Sequence, residues 1–201
     1  MRLILYLFLM LYSTHLMAQK KVFNQPNTKG TWQYIYPFAD KSYVLAIQHG
    51  VKDNEEDGAK TTNLYFGKIG KTDKIFWKEQ LVMRLMKDNV NYEDFNGDGV
   101  KDLLIFEDTG ARGGNAFYNL YLINHKNHTL TKVKDFNRIV NPSYDKKHKI
   151  IISYSLSGEN YYSIYKLNVN NKPYQIGNAF KETDELDLDK KIGEILKENK
   201  K

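Results

Sequence analysis

The residues with the most explicit chemistry are nine in a row, Asp94-Phe95-Asn96-Gly97-Asp98-Gly99-Val100-Lys101-Asp102. Side-chain oxygens fall at the first, third, fifth and ninth positions, with glycine at the sixth. A tightly curled backbone points Asp94, Asn96 and Asp98 inward, and Gly99 supplies the positive φ that the curl needs. The Val100 carbonyl serves where no side chain is wanted, and Asp102 closes the set directly or through water. Hard oxygens at this spacing suit Ca²⁺, which takes about 6–8 such ligands. The competing reading is a metal-free turn, because Asn-Gly and Asp-Gly reverse the chain unaided. Acids held this close repel one another without a cation, which favours the metal.

The loop is not a complete EF-hand. Ile105 stands where that motif places a bidentate Glu. The apolar run 103–106 reads instead as a buried strand fed by the loop.

The elements that must hold this loop are mostly strands. Tyr is 15 and Phe 10 among 201 residues, against 2 Trp, a composition that suits pleated sheet. Strands are expected at 31–36, 43–48, 64–66, 75–77, 103–107, 117–123, 130–136, 149–155, 161–169 and 173–177. Leu81, Val82, Leu85 and Met86 lie at helical spacing in 78–89. A terminal helix is expected at 187–198. The calcium pattern occurs once, which argues against a propeller built from many such loops. The fold expected is all-β, mainly antiparallel sheet in a propeller-like or sandwich arrangement, with a short C-terminal helix.

Arg2 precedes the apolar run 3–11, too short to span a bilayer. With Leu16-Met17-Ala18 it reads as a secretory signal, 1–18, cut after Ala18. A flexible leader at 19–30, one β domain at 31–182 and a helical tail at 183–201 follow. Export places the chain in the periplasm or outside the cell, free of the membrane once the signal is removed. Cys is 0, so no disulfide takes part. The net charge of +6 comes from scattered Lys, with no basic block carrying interleaved aromatics, so nucleic acid is not an expected partner. A solvated Lys-rich surface accounts for the charge.

Other constellations are weaker. Asp53, Glu55, Glu56 and Asp57 match no metal spacing and read as a solvated loop. His125 and His128 read as exposed turn residues. Gly110-Ala111-Arg112-Gly113-Gly114-Asn115 could cradle an anion but is no phosphate loop. Glu93 and Glu107 are the only carboxylates that invite a glycosidase reading. There is no nucleophile elbow and no zinc motif, so an enzyme is not expected.

The order of parts resembles a bacterial family of exported, calcium-binding β proteins. It is carried by 94–102, by Gly110 to Asn115, by 118–122, by Asn141-Pro142 with Asp145, by Lys149-Ile150-Ile151 and by 158–165. Characterised members of that family are immunity proteins against peptidoglycan-hydrolase effectors. They are similar in fold to periplasmic inhibitors of invertebrate-type lysozyme. The resemblance covers about 91–177. It implies a cell-wall hydrolase as partner, bound through a loop that offers Ser and Tyr hydroxyls to the catalytic carboxylates. Ser157, Gly158 and Tyr161 in the loop read at 155–162, with Arg112, are the matching residues here. The plainer reading is an ordinary hairpin turn. A second function class is an extracellular, calcium-stabilised module binding glycan or a surface, with Trp32, Trp77 and tyrosines as stacking platforms.

Overall fold

The computed structural model describes residues 23, 30–50, 59–84 and 89–199. The expected signal at 1–18, most of the leader, the acidic residues at 53–57, and Leu85 with Met86 lie outside the described residues.

Strands follow one another as three antiparallel meanders. The first sheet contains Thr31–Ile35 (β1), Tyr43–His49 (β2), Ala59–Lys68 (β3) and Lys74–Arg84 (β4), in that order. The second contains Val90–Glu93 (β5), Asp102–Gly110 (β6), Asn115–Asn124 (β7) and Thr129–Lys132 (β8). The third contains Ser143–Asp145 (β9), Ile150–Ser157 (β10), Glu159–Leu167 (β11) and Pro173–Lys181 (β12). A helix at Leu188–Glu198 (α1) closes the chain, its Asp187 cap accepting from the Lys190 amide at 3.0 Å. The fold is all-β with a short C-terminal helix.

Burial explains which strands read as continuous apolar runs. Successive side chains on a strand face opposite sides. Leu103, Ile105, Tyr121 and Ile123 of the second sheet meet Leu45, Ile47, Leu64, Phe66 and Met83 of the first. The alternate residues Leu104, Leu120 and Leu122 meet Ile151 of the third sheet, with Phe95, Phe136 and Ile139. The central strands β6 and β7 of the middle sheet are therefore dry on both faces, and their runs 103–106 and 120–123 lack polar alternation. The third sheet is also covered twice: Ile150, Ile164 and Ile176 pack under Ile192 and Ile195 of α1. Phe23, 1 % exposed, joins Val44 and Ala46 on the outer face of the first sheet. The packing is sandwich-like, sheet on sheet on sheet.

Strand pairing decides three stretches. Residues 78–84, left open by the helical spacing of Leu81 and Val82, belong to β4. Residues 155–162 are the plainer hairpin and not a free loop: β10 and β11 pair through Ser155↔Tyr161 and Ser157↔Glu159, and Gly158 alone sits at the apex with φ 84°. The strand expected at 130–136 ends at Lys132, and a 3-10 turn at Phe136–Arg138 follows.

Among the described residues no helix is long and apolar enough to cross a membrane.

Candidate functional site

The acidic loop joins β5 to β6 and is pinned at both ends. Phe95 is buried and lies edge-on to Phe136, centroids 5.3 Å apart. Asp102 is fully buried, and its two oxygens accept from the amides of Phe95 at 2.9 Å and Ile123 at 3.0 Å. One carboxylate thus ties the loop's start to β7, two strands away from β5. Gly97 and Gly99 have φ of 76° and 86°, which curls the segment between them. At Gly97 an added methyl group would meet the Tyr144 hydroxyl, so any other residue requires that side chain to shift.

Inside the curl every acidic or amide side chain faces the loop's own backbone. Asp94 accepts from Gly97 at 2.7 Å and from Gly99 at 2.9 Å. Asp98 accepts from Val100 at 2.8 Å and from the Asn96 side-chain amide at 2.9 Å. The Asn96 carbonyl accepts from the Asp98 amide at 2.9 Å. Among the described residues no three carboxylate or imidazole groups converge as a finished metal site.

The donor set nonetheless suits a hard cation. An ionised carboxylate offers about four lone-pair positions, so one or two amide bonds leave Asp94, Asp98 and Asp102 with capacity to spare. The electrostatics point the same way. Burial pushes the Asp102 carboxyl up to about 6, against the pull of the Phe95 and Ile123 amides, and the charges of Asp98 and Asp94 add to the rise. A divalent ion between these groups would relieve that strain. Asp94, Asn96, Asp98, the Val100 carbonyl and Asp102 are the residues that would hold it.

The remaining expected site residues lie on two connections, the turn between β6 and β7 and the β10–β11 hairpin. Arg112 sits in a 3-10 turn between β6 and β7, exposed, with φ 56°. That turn is locked to the β10–β11 hairpin by Asn115, whose amide donates to the Leu156 carbonyl at 3.0 Å and whose carbonyl accepts from the Leu156 amide at 2.8 Å. A methyl group at Gly114 would lie 2.7 Å from the Leu156 side chain, so the two tips touch. The turn that carries Arg112 is thereby fastened to the hairpin that carries Ser157 and Gly158. Asn141 makes a second stitch, donating to the carbonyls of Gly114 and Tyr154, each at 2.9 Å, and accepting from Ala116 at 2.8 Å.

The hydroxyls of this hairpin already have partners. Ser157 donates to the Glu159 carbonyl at 3.2 Å, and Tyr161 donates to the Glu159 carboxylate at 2.8 Å. Lys181 donates to the other oxygen of Glu159 at 2.5 Å. Bonds from Lys181 and Tyr161 hold the Glu159 carboxyl below its ordinary value, and Glu159 raises the Tyr161 phenol. Arg112 has no carboxylate partner among the described residues.

Other expected groups fall elsewhere. Glu93 lies opposite Asp102 across β5 and β6, and Glu107 is five positions further along β6, about 17 Å at strand rise. Glycosidase carboxylates stand about 5–9.5 Å apart, so these two are not such a pair. Glu107 sits at a bulge and accepts from Asn119 at 2.8 Å and Asn137 at 3.0 Å. Trp77 is no platform: it stacks on Tyr121 between the sheets and donates to the Leu130 carbonyl at 3.0 Å. Trp32 stacks between Tyr34 and Tyr65 on the outer face of the first sheet. His125 and His128 pack on Phe38, and His128 also stacks on Tyr43 at 4.8 Å. The roles of Asn115 and Asn141 are not visible in the sequence, because their partners stand 13 to 41 residues away.

No family model and no curated protein matches the chain. Among solved structures, a Xanthomonas protein described as related to a type IV secretion system superposes on 70 % of this chain and 83 % of its own. The identity is 18 % and the TM-score 0.44.

Proposed function

We propose that this is an exported, calcium-binding protein that binds a cell-wall hydrolase of lysozyme type and blocks its active site. The observation that supports the reading is the Asn115–Leu156 latch, which fastens the β6–β7 connection that carries Arg112 to the hairpin that carries Ser157, Gly158 and Tyr161. A glycoside hydrolase works through two carboxylates, so donors aimed at them compete with the sugar. Arg112 offers a planar fork to one carboxylate. Tyr161 is already oriented as a carboxylate donor, with Glu159 as its internal partner and Lys181 balancing that charge. On docking, its hydroxyl would exchange Glu159 for the enzyme's acid. Calcium at 94–102 would stiffen the seam between the second and third sheets on which both hairpins depend.

The test is inhibition of a panel of peptidoglycan hydrolases by the wild type and by the double variant Ser157→Ala, Tyr161→Ala. The variant is expected to lose inhibition while keeping its melting temperature. Equal potency of both proteins against every sensitive hydrolase would reject the hairpin as the inhibitory surface.

A glycan-binding reading keeps one observation in its favour. A groove of about 680 Å³ beside the acidic loop is lined by Tyr92, Tyr118, Asn91 and Glu93. Retention on insoluble polysaccharide with no effect on any hydrolase would favour that reading over inhibition.

A further inference from the structure

A second groove lies on the opposite face of the third sheet, away from the hairpin tips. Its cavity of about 510 Å³ runs between α1 and the strands β11 and β12, within the range of small-molecule sites, about 300–1,000 Å³. Ile176 and Leu196 form an apolar floor. Lys166 and Tyr174 are directly opposed across β11 and β12, so the ammonium and the ring stand side by side at one wall. Lys197 lines the same groove from the last turn of the helix.

Two features separate this groove from an ordinary helix–sheet seam. The first is Gly193, in the interior of α1 and lining the cavity. Glycine weakens a helix relative to alanine, yet a Cβ at Gly193 would have nothing within 4 Å. Packing therefore does not require glycine here. The space beside it is open. The second is charge. Lys147 at the near end is held by both oxygens of Asp189 at 2.6 Å, and His148 by Asp145 at 2.6 Å. Lys166 and Lys197 have no carboxylate partner among the described residues.

We infer that this groove is a binding site for a small anion carrying a flat apolar ring. The ring lies over Leu196 in the space left by Gly193, against Tyr174, and the anionic group sits between Lys166 and Lys197. The site is independent of the hydrolase-binding hairpin and stands whether or not that reading holds.

The probe is 8-anilinonaphthalene-1-sulfonate, titrated by fluorescence and mapped by amide chemical shifts on the full chain. The expected result is one saturable site, with shifts centred on Lys166, Tyr174 and Gly193. Gly193→Leu is expected to fold with an unchanged or higher melting temperature and to weaken binding by about tenfold or more. Lys166→Gln with Lys197→Gln is expected to do the same. The neutral analogue N-phenyl-1-naphthylamine should bind the wild type much more weakly than the sulfonate. Shifts centred elsewhere, unchanged binding by the folded Gly193→Leu variant, or equal binding of the neutral analogue would each overturn the proposal.

Discussion

Asn115 and Leu156 exchange two hydrogen bonds across 41 residues of sequence, at 3.0 and 2.8 Å, and so fasten the second sheet to the third at their tips. Asn115→Ala removes both and leaves the Leu156 backbone groups to find water. Losing a partner of a partly buried group costs about 1–3 kcal/mol. The expected outcome is a lower midpoint in urea unfolding at an unchanged m-value. If the two tips form one inhibitory surface, hydrolase inhibition should fall further than stability alone explains. A variant destabilised as expected but fully inhibitory would separate the latch from the function.

Calcium at the acidic loop predicts ligand-linked stability. A ligand that binds only the native state at about 100 times its Kd adds about 2.7 kcal/mol. For a chain of this size that raises the melting temperature by about 5–10 °C. Asp98→Ala removes the carboxylate that Val100 and Asn96 now engage. It should abolish the difference between calcium and chelator. Identical melting curves for the wild type in both conditions would reject the cation.

Much of this architecture was legible where burial is uniform. The run 103–106 reads as a buried strand because both its faces meet another sheet. The terminal helix was legible because one apolar stripe, Ile192 with Ile195, faces the third sheet. Strand β4 was legible only at its start, 75–77, because further along two of its residues invert the alternation. Glu79 points inward, where it accepts from the Tyr121 hydroxyl at 3.0 Å and pairs with Lys132. Val82 points outward and is 60 % exposed. A polar residue in the core face and an apolar one outside make period two look like helical spacing. The acidic loop was legible in composition alone. Its internal amide bonds depend on backbone turns that spacing does not encode.

Asp102 gives the loop a pH signature whose sign follows from its environment. Its folded carboxyl titrates near 6, above the ordinary value of 3.8, chiefly because burial disfavours the charge. The native state therefore binds more protons than the unfolded chain between those values, and stability falls as pH rises through that window. The full effect of a shift this size is about 3 kcal/mol. In chelator, the wild type should gain stability from pH 7 to pH 5. Calcium, by favouring the charged form, should cancel that gain, so its stabilisation is larger at pH 7 than at pH 5. Asp102→Asn should flatten the chelator profile in that range. An Asp102→Asn profile as steep as that of the wild type would assign the effect to other groups.

Helix α1 is held against β12 by a close approach at Gly177. That residue has φ 65°, and an added Cβ would lie 2.8 Å from Ile195 Cγ2. Gly177→Ala meets two penalties at once: a left-handed backbone, about 1–2 kcal/mol, and an overpacked contact, about 1–3 kcal/mol. The helix can relieve the second by lifting away, which would uncover Ile164 and Ile176. Native-state hydrogen exchange is the measurement that separates the two routes. Faster exchange confined to α1 and β12, with the first two sheets unchanged, is the expected pattern. Uniform loss of protection through all three sheets would mean that the helix unfolds only with the whole domain.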